Sequence, residues 1–174
     1  MDHALKLVAI DFETANHDPG SACAVAVALI ENRQITATRD WLIRPPTPEF
    51  VFTYVHGIDW KDVAGQPEFG TVWDEMAPLV SDADYFVAHN APFDRNVLTH
   101  CCRNAGRPPP AAPFLCTVRL ARDAWGIYPT KLPDVCRKLR IPLNHHNARS
   151  DATACARIAI AAMKKGHSIH TGRA

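Results

Sequence analysis

Three separate stretches of the chain place carboxylates where apolar faces begin. The run Leu5-Lys6-Leu7-Val8-Ala9-Ile10 gives way to Asp11 and Glu13, spaced i, i+2. Residues two apart in a strand share a face, so these acids stand side by side where a buried strand emerges. Two charges placed there repel each other and lose water unless protons or a cation neutralise them. Mg²⁺ or Mn²⁺ is the simplest remedy, because hard cations take carboxylate oxygen. Asp94 heads the helical stripe Asp94, Val97, Leu98, Cys101, Ala105, and Asp151 heads the stripe Asp151, Cys155, Ile158, Ala162. Any one of these acids would pass as an ordinary polar residue at the end of an element. Together they point to convergence on a shared cation cluster. The four negative charges of Asp11, Glu13, Asp94 and Asp151 would be balanced by two divalent ions. Paired ions about 3.5–4 Å apart activate a water and stabilise the leaving oxygen of an in-line phosphoryl displacement. An attacking water must still lose a proton, and histidine is the side chain best poised near neutral pH to take it. His146 lies five residues before Asp151, with His145 beside it.

The elements that must position these groups follow from pattern. Residues 5–13 read as a near-continuous apolar strand of a sheet centre, 22–31 as a second strand of small residues and 35–44 as a third. Their short polar links favour antiparallel hairpins. Pro45, Pro46 and Pro48 interrupt regular structure, and His56-Gly57-Ile58 is expected in a loop. Helical spacing covers 68–80, with Pro78 expected to kink or end it. Residues 85–88 form a short strand, and Pro92 suits the first turn of a helix over 92–105. A last strand is expected at 114–116, short helices at 118–124 and 132–139, and a final helix beginning near Ser150 as its N-cap. Residues 164–174 are expected to be a frayed polar tail. Three hairpin-linked strands followed by alternating helices and strands predict an α/β fold: one domain over 1–174 with its core at about 5–163, and a mixed five-stranded sheet with helices on both faces.

Composition narrows the function classes. The chain has 174 residues, 47% hydrophobic and 21% charged, enough for one real core. No apolar run approaches the roughly 20 residues of a membrane span, and Met1-Asp2-His3 does not begin a signal peptide. The six cysteines form no CxxC pair, which argues against a zinc knuckle or redox motif and for free thiols in a reducing cytoplasm. Net charge is +1, but residues 1–100 carry 15 acids and 6 Lys/Arg whereas residues 101–174 carry 3 and 13. That asymmetry suits an acidic centre beside a basic flank that holds a polyanion.

The motifs carry a resemblance. Asp11-Phe12-Glu13-Thr14-Ala15, then His89-Asn90-Ala91-Pro92-Phe93-Asp94, then His146-Asn147-Ala148-Arg149-Ser150-Asp151 resemble, in order and spacing, the three exonuclease motifs of the DnaQ-like 3′–5′ exonucleases. The third motif is His-x4-Asp, as in the DEDDh branch; the sister branch has Tyr where this chain has Asn147, and the spacing selects His146 over His145. The resemblance implies a ribonuclease H-like fold and two Mg²⁺ or Mn²⁺ ions. Asp11, Glu13, Asp94 and Asp151 would be the metal ligands and His146 the general base. Thr14 and Ala15 match the segment that lies against the terminal nucleotide, and His56, Asn90 and Phe93 are further substrate-side candidates. Family members release nucleoside monophosphates from 3′ ends, so the expected partner is single-stranded nucleic acid. The basic residues Arg119, Arg122, Lys131, Arg137, Lys138, Arg140 and Arg149 could hold upstream phosphates. Phe12 and Thr14-Ala15 differ from the Leu-Glu-Met-Thr-Gly pattern of oligoribonucleases, which favours DNA over RNA. A free-standing enzyme is expected, with a polymerase-docking proofreading subunit as the alternative.

Overall fold

A computed structural model describes residues 5–169. Strands β1 (Lys6–Thr14), β2 (Ala22–Glu31) and β3 (Gln34–Leu42) form an antiparallel meander. Two single-turn helices follow, α1 (Thr53–His56) and α2 (Trp60–Val63), then α3 (Phe69–Val80). Strand β4 (Tyr85–Ala88) leads into α4 (Ala91–Asn104), and β5 (Phe114–Cys116) into α5 (Thr117–Trp125), α6 (Leu132–Leu139) and α7 (Ala148–Lys164). The five-stranded sheet runs β3-β2-β1-β4-β5, with β4 parallel to both β1 and β5. The expected mixed α/β architecture is present.

Strand alternation assigns each face of β1 to a different core. Val8, Ile10 and Phe12 pack with Trp73 and Met76 of α3 and Val97 and Leu98 of α4. Leu7 and Ala9 point the other way, into the core with Leu120, Val135, Cys155 and Ile158 from α5, α6 and α7. Asp11 and Glu13 continue this second set by period two, so they emerge on the α7 side of the sheet. Their cross-strand partners on β2 are Ala26 and Ala24. Those two alanines pack against Ala148 and Ala152 of α7. Methyl-sized side chains on both elements let the helix start approach the sheet closely, beside the acids.

Three local expectations are corrected. The final helix starts at Ala148 and is capped by Asn147, whose side-chain oxygen accepts the Ser150 amide at 3.0 Å. Ser150 instead accepts the Asn144 amide with its hydroxyl at 2.7 Å. Helix α3 ends at Val80, two residues after Pro78, close to the bounds its spacing predicts. The segment expected as a loop around His56 is α1, closed by Gly57 at φ +79°, followed by α2 with an Asp59/Asp62 capping box. Finally, the chain beyond α7 packs rather than frays as far as it is described: Ile169 is buried in the second core. The remainder of that expected tail, 170–174, lies outside the described residues. No helix among the described residues is long and apolar enough to cross a membrane.

Candidate active site

Asp11, Glu13 and Asp151 bring carboxylate oxygens within 4.8 Å of one another. The first two stand at the end of β1, and Asp151 sits in the first turn of α7. Asp94, in the first turn of α4, is buried. β4 pairs with β1 only through Leu7, Val8 and Ala9, so beyond them the β1 backbone is free on that side. There Phe12 donates its amide to Asp94 Oδ1 at 3.0 Å. This bond fixes Asp94 beside the strand that carries the other two acids.

Electrostatically the cluster is unfavourable as it stands. Burial, then the neighbouring Asp94, Asp151 and Glu13, hold the Asp11 carboxyl well above the usual range. Burial and the charges of Asp151 and Asp94 push Glu13 up to about 8. Burial also raises Asp94 to about 8, against the opposing pull of the Phe12 amide. Asp151 is raised by burial too, although His145 beside it acts the other way. Asp151 Oδ1 is buried and has no hydrogen-bond partner. An all-oxygen donor set with an orphaned buried oxygen and carboxyls that resist ionisation fits hard divalent cations. The family-implied ions are therefore compatible with the residues present.

The two histidines divide the roles available to them. His145 Nδ1 lies 2.9 Å from Asp151 Oδ2, and the His146 backbone amide donates to the same oxygen at 3.1 Å. The His146 ring stacks on His145, centroids 3.7 Å apart, and makes no hydrogen bond among the described residues. It sits at φ +66°, a left-handed conformation. Burial, followed by the neighbouring His145, lowers its pKa. The contact of His145 with Asp151 was not legible in the sequence. The motif spacing singles out His146 but says nothing of which ring lies against Asp151, and that ring is the one of His145.

A cavity of about 370 Å³ opens on this cluster, bordered by the three clustered acids, both histidines and Thr14, Phe52, Tyr54, Val55, His56 and Phe93. Of the other expected substrate residues, Ala15 is fully buried against Cys23 and Val63 and does not border the cavity. Its carbonyl instead accepts the amides of Val51 at 2.7 Å and Phe52 at 3.1 Å. Asn90 is exposed and also lies off the cavity, at φ +60° before α4. His56 is committed to the backbone. Its Nδ1 accepts the Ile58 amide at 3.1 Å, so Nε2 carries the proton and donates to the Thr14 carbonyl at 3.0 Å. With both nitrogens engaged, His56 latches α1 to the end of β1. His56→Ala should cost about 1–3 kcal/mol of stability, because it frees one donor and one acceptor in a partly buried place; chemical denaturation would read the loss. His89 is a second such strut, with Nδ1 2.8 Å from the Thr117 hydroxyl and Nε2 2.9 Å from the Thr130 carbonyl. Of the basic flank, Arg149 is held by Asp40 and Thr38, Arg137 by Asp134, and Arg122 by Thr130.

Comparison with known proteins agrees with this geometry. The exonuclease family model RNase_T matches residues 8–159. The 3′-5′ exonuclease DinG of Bacillus subtilis (strain 168) is 31% identical over 167 residues, covering 92% of this chain and 18% of DinG. Exodeoxyribonuclease 10 of Escherichia coli (strain K12) is 31% identical over 159 residues, covering 87% of this chain and 66% of that protein. The chain thus spans less than two thirds of the length of either relative. Among solved structures, the nuclease domain of 3′hExo, a DEDDh family member bound to rAMP, superposes with a TM-score of 0.79 at 18% identity, covering 95% of this chain and 94% of that one. At that identity the likeness speaks to the fold.

Proposed function

The chain belongs to the exonuclease family RNase_T, the DnaQ-like 3′–5′ exonucleases, and from that premise we propose that it is a metal-dependent 3′–5′ exonuclease. It releases nucleoside monophosphates from single-stranded or frayed 3′ ends, DNA in preference to RNA. The observation that carries this reading is the convergence of Asp11, Glu13 and Asp151 within 4.8 Å, at the mouth of a nucleotide-sized cavity.

Asp11, Glu13, Asp94 and Asp151 would hold two divalent ions, Mg²⁺ or Mn²⁺. When bound, the ions neutralise the acid cluster and supply Lewis acidity to the scissile phosphate. His146 takes the proton of the attacking water. Its lowered pKa keeps the ring neutral at physiological pH, and its unengaged ring leaves a nitrogen able to accept. His145 orients Asp151 through their hydrogen bond. Thr14 and Phe93 border the space where the terminal nucleotide lies. His56 borders that space and is held there by its latch, and Ala15 supports it from behind through its carbonyl.

DNA is favoured by the Phe12-Glu13-Thr14-Ala15 segment and by the relative named as an exodeoxyribonuclease. The rAMP-bound neighbour keeps short RNA as the alternative substrate. Six free thiols, all buried, fit a reducing cytoplasm. A polymerase contact remains the alternative partner reading, read by co-purification.

The test is a degradation assay on matched 5′-labelled single-stranded DNA and RNA with Mg²⁺, Mn²⁺ or chelator. Stepwise shortening from the 3′ end that chelator stops is expected, faster on DNA. Shortening from the 5′ end, or cleavage indifferent to chelator, would refute the assignment. In the same assay His146→Ala should lower turnover by about 10²–10⁴-fold. It should keep the rise in melting temperature that metal produces, since His146 does not hold the ions.

A further inference from the structure

We propose that His145, His146 and Asp151 form a second metal site, one that takes Zn²⁺ and, when filled, stops hydrolysis. The site itself is independent of the exonuclease reading. Its effect on turnover rests on that reading.

Asp151 belongs to two groups of metal-ligating side chains. With Asp11 and Glu13 it offers oxygen alone. With the two histidines it offers a different set: one nitrogen of His145, one of His146 and one carboxylate oxygen, all within 4.8 Å of one another. Donor chemistry separates the two groups. Mg²⁺ and Mn²⁺ favour carboxylate and water, whereas imidazole suits Zn²⁺ and its transition-metal neighbours. Two nitrogens and a carboxylate, with water in the fourth place, make an open tetrahedral zinc site.

Most of this site is already assembled. His145 Nδ1 lies 2.9 Å from Asp151 Oδ2. Tetrahedral ligands about 2.0–2.1 Å from zinc stand about 3.3 Å apart, so this pair needs to open by only a few tenths of an ångström. The proton on Nδ1 moves to Nε2, and a neutral ring then presents its lone pair to the ion. Asp151 is held rigidly: its side chain is 5% exposed, and the His146 amide donates to Oδ2 at 3.1 Å. Its other oxygen, Oδ1, is buried without a partner, which leaves that carboxylate short of positive charge. His146 supplies the mobile ligand. Its ring now stacks on that of His145, centroids 3.7 Å apart and planes 26° apart, and lone pairs of stacked rings do not converge. The ring is exposed and has no hydrogen bond among the described residues, so it is free to turn a nitrogen toward the point that His145 and Asp151 share. An ion held there occupies the ring that would accept the proton of the attacking water. It also draws Asp151 away from the carboxylate cluster.

The experiment titrates the metal-free full chain with Co²⁺, then with Zn²⁺, in the absence of Mg²⁺, and follows visible absorption. Four-coordinate Co²⁺ with nitrogen ligands absorbs strongly, whereas Co²⁺ in a six-coordinate oxygen site absorbs weakly. Wild type should develop the strong bands, and Zn²⁺ should displace them. His145→Ala and His146→Ala should each lose the bands and bind Zn²⁺ roughly tenfold more weakly or worse, since even an outer partner of a metal site is worth that much. Asp11→Asn should keep both the bands and the wild-type affinity for Zn²⁺. Weak bands in wild type, unchanged Zn²⁺ affinity in both histidine variants, or loss of the bands in Asp11→Asn would each overturn the site. Zn²⁺ should also halt mononucleotide release supported by Mg²⁺, and a chelator selective for Zn²⁺ should restore it. Undiminished release with the bands present would overturn the inhibition. The exonuclease reading is judged separately, by release with Mg²⁺ and no Zn²⁺: strong bands without release remove the exonuclease assignment alone, and release without strong bands removes the zinc site alone.

Discussion

Asp11→Asn is expected to lower 3′-end hydrolysis by about 10³-fold or more while leaving a folded protein. Asn keeps the shape of the side chain and removes the charge. Asp11 is the acid on which the repulsion of the other three converges, so without metal its loss should relieve the site rather than break it. Stripped of metal at pH 8, the variant should therefore melt at a higher temperature than wild type, and Mg²⁺ should raise that temperature less. This pairing of lost activity with gained metal-free stability separates loss of cation binding from unfolding. Asp151→Ala should also abolish hydrolysis, but it removes the acceptor of His145 and of the His146 amide. Its metal-free stability should gain less for that reason. Wild-type turnover by either purified variant would end the two-metal assignment.

The second large effect is an inversion of stability with pH that metal reverses. Glu13 and Asp94 titrate near 8 in the folded chain, above the ordinary carboxylate range. The folded state thus binds more protons than the unfolded state between about pH 4 and pH 8. Stability from these groups is complete below the unfolded pKa and is lost as pH rises through the folded one. His89 has the opposite sign. Burial holds it at about 4, so its contribution is lost as pH falls below the usual histidine range. The comparison is made between pH 6.5 and pH 8, where folded His89 is neutral and its half-protonated unfolded form changes stability by only about 0.4 kcal/mol, less than the acids that still titrate. The metal-free protein should melt lower at pH 8 than at pH 6.5. Saturating Mg²⁺ at about 100 times its dissociation constant adds about 2.7 kcal/mol, or about 5–10 °C for a domain of this size. That increment should be larger at pH 8, because cations compete with protons for the same oxygens. A metal increment that is equal at both pH values, or greater at pH 6.5, would contradict the picture of protonated acids displaced by cations.

Local pattern made much of this site legible. Period two in β1 places Asp11 and Glu13 on one face, and helical period places Asp94 and Asp151 at the head of buried stripes. Those relations depend only on neighbours along the chain, so the sequence carries them in full. The alternation of cores on the two sides of the sheet follows from the same arithmetic. What periodicity could not supply was the identity of partners far apart in sequence. Asp151 reaches Asp11 because Ala24 and Ala26 meet Ala148 and Ala152, a contact of complementary shape between elements more than 100 residues apart. His145 meets Asp151 with its ring and His146 with its backbone amide, in a left-handed turn at His146 that no period marks. The His56 latch arose in a stretch with too few residues per element to show a period. Thus the sequence alone determined which acids exist, on which faces they lie and to which family the motifs belong. Tertiary packing decided which of them touch and which histidine ring meets Asp151, because those depend on distances between elements that no local pattern encodes.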